Sequence, residues 1–347
     1  SLADLQQAQR VQGWVELDDT LQEVDRHETV GLVNTDNHDS ILLPDGTVWL
    51  MAYEPNDETG LVDSVVQRID PDGSVGFEWS TAPYVDETVL DLEGPPLAGV
   101  PEGDYAHVNS FELLPDGDLL LSFRHYSSVW RVATSDRAGV QAGDVVWRLG
   151  GRQSDFAITG LDGEPDGGPC AQHTARMLPD GDMVLFDNGS SEATGPLCID
   201  PTDPSGPAVA RPSTRILTLR LDEAAGTAEV VKDVAPAGRF AFFAGSTQPL
   251  PETGNTLVGW ASDTTAVASE YDDAGDLVWE LRDPAPDSPY FTYRAFRGPL
   301  PDTRPPAVSV ESPVDGTVLL EGEDLPATYG CTDRGGSTMQ TCAGPAV

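Results

Sequence analysis

Leu43-Pro44-Asp45-Gly46, Leu114-Pro115-Asp116-Gly117 and Leu178-Pro179-Asp180-Gly181 spell the same tetrapeptide three times, and Leu250-Pro251-Glu252-Thr253-Gly254 is a looser fourth copy. Asp-Gly between apolar runs is a hairpin signal, because glycine takes the positive φ that a tight reversal needs. The copies recur at roughly 60 to 75 residues, a period that suits a repeated multi-strand unit. Between them runs a second turn series: Asp70-Pro71-Asp72-Gly73, Gln141-Ala142-Gly143-Asp144, Ala224-Ala225-Gly226 and Asp273-Ala274-Gly275-Asp276. Each period therefore holds two hairpins, and two hairpins make one four-stranded sheet.

The segments flanking these turns read as strands. Thr47 to Tyr53, Asp118 to Phe123, Asp144 to Leu149 and Asp276 to Leu281 are rich in β-branched, aromatic and leucine side chains, and long helical periodicity is absent. Four-stranded sheets repeated around an axis give a β-propeller, which shields its edge strands by radial packing. The expectation is an all-β fold with six blades. Residues 15–24 supply an outer hairpin and the stretch from Tyr290 to Phe296 completes the circle. A two-sheet sandwich is the alternative, but it would not need one turn to recur at a near-constant period. The catalytic domain is expected over residues 1–304, and residues 305–347 read as a linker and a partial Ig-like β-sandwich tail.

Composition narrows the function. With 58 acidic against 19 basic residues, the net charge of −39 repels nucleic acid and anionic lipid. No apolar run is long enough to span a membrane, and the first residues lack the pattern of a signal peptide. Four cysteines fall as two local pairs, Cys170 with Cys198 and Cys331 with Cys342, without zinc-site spacing. Two disulfides are expected, and with them a secreted or extracytoplasmic location.

Chemistry-bearing residues emerge from the turn register. Counting back eight residues from the glycine of each inner turn lands on His38, Asn109, His173 and Ser246. Counting forward seven lands on Tyr53, Arg124, Asn188 and Ala261. A hairpin folds back on itself, so both offsets reach the same open end. Strand alternation adds His107 to the face of Asn109, whereas His125 is expected to face away from Arg124, and both His125 and His27 read as surface or packing residues. Asp39 reads as a turn former. His38, His107, Asn109, Arg124 and His173 are thus expected to converge at the mouth of a central channel. Three histidines could bind zinc, but a guanidinium beside a dication is repelled, whereas beside a tetrahedral anion it forms a clamp. No metal or other cofactor is expected.

The motifs Asp104-Tyr105-Ala106-His107-Val108-Asn109, Ser122-Phe123-Arg124, Trp147-Arg148-Leu149-Gly150-Gly151, Gln172-His173-Thr174-Ala175-Arg176 and Leu185-Phe186-Asp187-Asn188-Gly189 resemble the arylsulfotransferases. Gly245-Ser246-Thr247-Gln248 and Gly254-Asn255-Thr256-Leu257 continue the likeness, which covers roughly residues 30 to 300. The resemblance implies a six-bladed propeller that moves a sulfuryl group from a phenolic sulfate ester to a phenolic acceptor without a nucleotide donor. It implies that His173 is the nucleophile that becomes sulfated, with His107, Asn109, Arg124 and His38 around it. Asn188, Arg176, Ser246 and Thr247 are expected to contact substrate. Departures are Thr174 where the family pattern has Asp, and the elaborated loop holding Cys170 and Cys198. The competing functions are a non-catalytic secreted propeller that binds ligands or proteins and a metal-assisted hydrolase or lyase.

Overall fold

A computed structural model describes residues 13–18, 20–94, 102–263, 265–283, 292–298, 307–318, 326–332 and 342. The chain divides into two compact units, one of Ser1–Trp14 and Glu28–Phe296, the other of Val15–His27 and Arg297–Val347.

In the second unit, β1 (Trp14–Leu17, entered from the first) pairs with β2 (Glu23–His27). The first unit then lays down β3 (Ile41–Leu42), β4 (Val48–Asn56), β5 (Leu61–Ile69) and β6 (Val75–Ser80) as one antiparallel sheet. The next sheet is β7 (Val108–Leu113), β8 (Leu119–Phe123), β9 (Ser128–Val132) and β10 (Val145–Gly150). β11 (Ala157–Thr159) is followed by β12 (His173–Met177), β13 (Met183–Asp187), β14 (Arg215–Asp222) and β15 (Thr227–Val234). The last four form the third sheet, and β11 joins it in parallel beside β15 as an unanticipated fifth strand. The fourth sheet is β16 (Ser246–Leu250), β17 (Asn255–Gly259), β18 (Ala268–Tyr271) and β19 (Leu277–Leu281). In the second unit β20 (Ala307–Ser312) pairs with β21 (Thr328–Thr332). The fold is all-β, and each of the four large sheets is built on a meander of four antiparallel strands.

Turn chemistry explains the repeat. Each Leu-Pro-Asp-Gly joins the first two strands of its sheet, with Gly46, Gly117 and Gly181 at φ +88, +92 and +93°. The glycine N–H donates to the leucine carbonyl at 2.9, 2.8 and 3.0 Å, and the aspartate side chain accepts the N–H two residues on. A side chain with a Cβ is strained at that φ, which is why one tetrapeptide recurs.

The β8 run Leu119–Phe123 is apolar on both faces because both are buried. Leu119, Leu121 and Phe123 pack with Trp49, Met51 and Trp79 of the first sheet, whereas Leu120 packs with Met183, Leu185 and Leu217 of the third. Val184, Phe186 and Ile216 continue to Val258 and Trp260 of the fourth sheet. Face-to-face stacking of successive sheets thus makes one layered core, each buried Leu or Phe contributing about 1.5–3 kcal/mol.

Two expectations change. Among the described residues, 292–298 form no strand; Gly245 N–H donates to Tyr293 O (3.0 Å), and Ser246 Oγ accepts from Ala295 N–H (2.9 Å) and donates to Ala295 O (3.2 Å). Tyr290 lies outside the described residues. The early hairpin, β1 and β2, makes a two-stranded sheet of its own.

Candidate functional site

The first strand of each sheet begins at one end of the layered core, and the polar side chains cluster there. His38 precedes β3, His107 precedes β7, His173 opens β12 and Ser246 opens β16. The offset pairs meet: His173 Nδ1 lies 2.7 Å from Asn188 Oδ1, and the rings of His38 and Tyr53 are 5.7 Å apart. Several entry residues have left-handed backbone, with His107, Thr174 and Ala244 at φ +55, +52 and +55°. Such strain in non-glycine residues concentrates where a site over-determines the backbone.

Two imidazoles form carboxylate dyads. His38 Nδ1–H donates to Asp36 Oδ1 (2.7 Å), and His107 Nδ1–H to Asp104 Oδ2 (2.5 Å). Their rings cross edge-on at 5.1 Å, and His107 stacks on Tyr53 at 5.5 Å. These two side chains keep 15% and 13% of their surface exposed, whereas His173 and His125 are buried. The dyads are not equivalent. Burial depresses both, but Asp36 outweighs it and raises His38 above 6.5, while for His107 burial wins over Asp104 and the value is lowered. Burial opposes ionisation of Asp104 as well, yet His107, His125 and His38 together hold its carboxyl below the usual range.

His173 is held by neutral groups. Asn188 Nδ2 donates to Ala241 O (2.7 Å) and Ala244 O (2.8 Å), which fixes its Oδ1 toward His173. Nδ1 of His173 must therefore carry the proton, leaving the lone pair on Nε2, which accepts Ala244 N–H at 3.1 Å. Burial and the Arg124 charge push its pKa well below 6.5, so the imidazole is neutral.

Arg124 is buried, at 4% exposure, and among the described residues it has no carboxylate partner. Its NH1 donates to His125 Nε2 (2.7 Å), its NH2 to Phe242 O (3.0 Å), and its Nε has no partner. Desolvation lowers its pKa to about 10, and its charge acts on His107, His173, Tyr53 and Tyr293. His125 contradicts the alternation expected of it. The strand ends at Phe123, so residues 124–127 form a turn that brings His125 against Arg124 and within 4.8 Å of the His107 ring.

The remaining expected residues take different places. Asn109 is fully buried, gives Nδ2–H to Gln172 O (2.7 Å) and keeps an unpartnered Oδ1. Arg176 pairs with Asp39 (3.0 Å). Asp39, read as a turn former, is a buried node that also binds Arg294 (2.9 Å) and the N–H of Phe111 (3.2 Å). Ser246 is committed to Ala295, whereas the buried Thr247 hydroxyl has no partner. His27 pairs with Glu16 in the second unit. Sequence reasoning missed Asp36 and Asp104, though Asp-x-His and Asp-x-x-His spacings mark them. It also missed Tyr293, whose ring lies 5.4 Å from His38 and 6.4 Å from His173 and whose hydroxyl is unpartnered.

Both disulfides are formed, Cys170–Cys198 with Cα atoms 4.7 Å apart and Cys331–Cys342 at 5.9 Å. The first pins the approach to His173: Cys170 N–H donates to Asp187 Oδ1 (2.7 Å), and Asp187 is itself held by Arg215 (2.6 Å) and Arg211 (2.7 Å).

Asp104, His107 and His125 bring potential ligand atoms within 4.8 Å of one another. His125 has no uncommitted lone pair, because its Nδ1 carries the proton given to Asp104 O and its Nε2 lone pair accepts from Arg124 NH1, and the Arg124 cation adjoins the trio. The Arg124 cation beside the set disfavours a dication there.

The arylsulfotransferase (ASST) family matches residues 15–283. No curated protein sequence matches. Solved structures with similarity include virginiamycin B lyase from Staphylococcus aureus at 12% identity and TM-score 0.37, over 71% of this chain and 55% of that one. This chain thus spans about half of that relative. A catalytically inactive form of the same lyase with quinupristin has 10% identity and TM-score 0.35, over 72% and 70% of the two chains. A streptogramin B lyase structure has 11% identity and TM-score 0.31, over 71% and 68%.

Proposed function

We propose, because the chain belongs to the arylsulfotransferase family over residues 15–283, that it transfers a sulfuryl group from an aryl sulfate to a phenol through sulfated His173, without a nucleotide donor. The observation that carries this reading is Arg124: a buried guanidinium that, among the described residues, donates to neutral acceptors, His125 Nε2 and Phe242 O, and whose charge acts on His107, His125 and His173, is suited to receive an anion. Arg176 and Arg294, by contrast, are matched to Asp39.

In the first half-reaction His173 Nε2 attacks sulfur, the N–S bond forms and the S–O(aryl) bond breaks. The phenolate leaves with the bonding pair and takes a proton from His38, whose pKa is raised because Asp36 and Asp104 outweigh burial. Asn188 retains the Nδ1 proton, so the sulfated ring is a cation poised to leave. Ala244 N–H, which covers Nε2 at rest, turns aside and becomes a donor to a sulfuryl oxygen. In the second half the acceptor phenol gives its proton to His107, attacks sulfur and restores His173. His107 then releases that proton to solvent and His38 regains one. Arg124 and Asn109 hold sulfuryl oxygens throughout, and Thr247 supplies the unspent hydroxyl. The four sheets are read as blades of a six-bladed propeller whose axis carries the site. The disulfides support an extracytoplasmic setting.

Mixing the protein with 4-nitrophenyl sulfate and a phenol tests the proposal. Nitrophenol release with parallel-line (ping-pong) kinetics, loss of release in His173→Ala, and a His173 peptide one sulfuryl group heavier are expected. Release undiminished in His173→Ala would overturn it.

A further inference from the structure

His125 has no role in the reaction just described, although it is a fully buried titratable group beside the centre. Its hydrogen bonds leave one protonation state. Nδ1 faces Asp104 O at 2.6 Å, and a carbonyl can only accept, so Nδ1 carries the proton. Nε2 faces Arg124 NH1 at 2.7 Å, and a guanidinium can only donate, so Nε2 carries the lone pair. Burial, outweighing Asp104, keeps the ring neutral far below pH 6.5.

We propose that His125 is a positioning residue that aims Arg124: locked as the Nδ1–H tautomer by the Asp104 carbonyl, it anchors one arm of the guanidinium while Phe242 O anchors the other. The free Nε–H and the second NH protons are thereby turned toward an anion between His107 and His173. This rests on the sulfuryl-transfer reading of the same site. Asp104 becomes the common node, since its carboxylate orients His107 and its backbone orients Arg124 through His125. An acceptor without charge is required here. A carboxylate at position 125 would neutralise Arg124 and remove the attraction for an anion, and an imidazolium would present a proton where Arg124 must donate. Neutral imidazole supplies the lone pair and leaves the cation uncompensated.

The test compares His125→Phe, His125→Gln, Arg124→Ala and the double variant His125→Phe/Arg124→Ala in the full chain, with thermal melting to establish folding. His125→Phe keeps the ring and removes the acceptor; His125→Gln places an amide oxygen near the Nε2 position. Calorimetric titration with inorganic sulfate reads the anion clamp without any turnover. His125→Phe is expected to weaken sulfate at least tenfold and to lower kcat for 4-nitrophenyl sulfate about a hundredfold, the size of loss seen on removing an oriented oxyanion donor. His125→Gln is expected to recover about tenfold of that, and the double variant to be no worse than Arg124→Ala alone. Penalties that multiply in the double variant, or sulfate affinity unchanged in both folded His125 variants, would overturn the positioning role. Wild-type protein that binds sulfate through this pair yet never turns over an aryl sulfate would overturn the sulfotransferase reading and leave the Arg124–His125 clamp standing.

Discussion

Replacing Asp104 by Asn isolates one charge while leaving shape and backbone unchanged. The amide oxygen can still accept His107 Nδ1–H across the present 2.5 Å, and the Asp104 carbonyl that holds His125 is untouched. What disappears is the negative charge that steadies His107 as it gains a proton from the acceptor phenol. Two unit charges about 4 Å apart interact by about 4 kcal/mol at an effective dielectric constant of 20. If half to all of the positive charge has formed on His107 in the transition state, about 2–4 kcal/mol is lost, or roughly 30- to 1000-fold in rate at 1.36 kcal/mol per decade. The second half-reaction is affected most, because Asp104 is hydrogen-bonded to His107, whereas on His38 its charge is a lesser cause behind burial and Asp36. Stopped-flow mixing with 4-nitrophenyl sulfate should therefore show a burst of nitrophenol at nearly the wild-type rate, followed by steady-state turnover slowed by that factor. Turnover within threefold of wild type, or a burst slowed as much as turnover, would refute the assignment of His107 as the acceptor's base.

The split of the two dyads sets a pH profile: kcat at saturating donor and acceptor, which contains both half-reactions, should fall toward acid as His107, below 6.5, becomes protonated, and toward alkali as His38, above 6.5, loses its proton. A single-limbed profile over pH 5–9 would contradict it. Stability should also respond. His107, His125 and His173 are neutral in the fold with lowered pKa values, so the unfolded chain alone takes up protons as pH falls through 6.5, and stability present above that pH declines below it. The slope reaches about 1.36 kcal/mol per pH unit for each group, and a melting temperature that holds steady from pH 7 to 5 counts against this. His38 has the opposite sign, its contribution being complete below 6.5 and lost as pH rises through its raised value. Finally, Cys170→Ser/Cys198→Ser removes a crosslink spanning 28 residues, expected to cost about 3–4 kcal/mol. Urea denaturation reads this directly, and an unchanged midpoint would show that the loop is held without it.

Much of the fold was legible because turn chemistry is local. Gly46, Gly117 and Gly181 need positive φ whatever surrounds them, so their spacing reports the sheet period without tertiary information. The same register found His173 with Asn188 and His38 with Tyr53, because both arms of a hairpin are counted from one turn. Failures came where strand geometry stops. Alternation says nothing past Phe123, so His125 was misplaced. Tyr293 and Arg294 reach the site from a segment without a ladder and hence without periodicity, yet Arg294 binds Asp39, far away in sequence. Asn188 and Ser246 were found at the right end but with capacities that only coordinates reveal: the amide is used up on His173, Ala241 and Ala244, and the Ser246 hydroxyl on Ala295. The fifth strand β11 pairs in parallel across a long connection, which no turn signal announces.

A chain of net charge −39 is an unpromising receptor for an anion, and the arrangement of charge at the site resolves the conflict. At physiological salt the surface field decays within about 8 Å, so what an aryl sulfate meets in the site is set by the few buried groups there. Asp39 is paired with Arg176 and Arg294, and Asp36 with His38. That leaves Asp104 against Arg124, and Asp104 directs its carboxylate at His107 while Arg124 leans on neutral acceptors. The two charges are not bonded to each other, so the site is strongly polarised. An anion at the Arg124 side gains the attraction without displacing a carboxylate. Its arrival adds a negative charge beside His38 and raises that pKa further, so binding the donor itself secures the proton that the leaving phenolate needs. Removal of the sulfated group reverses the effect, and His38 can then exchange its proton with solvent before the next donor enters.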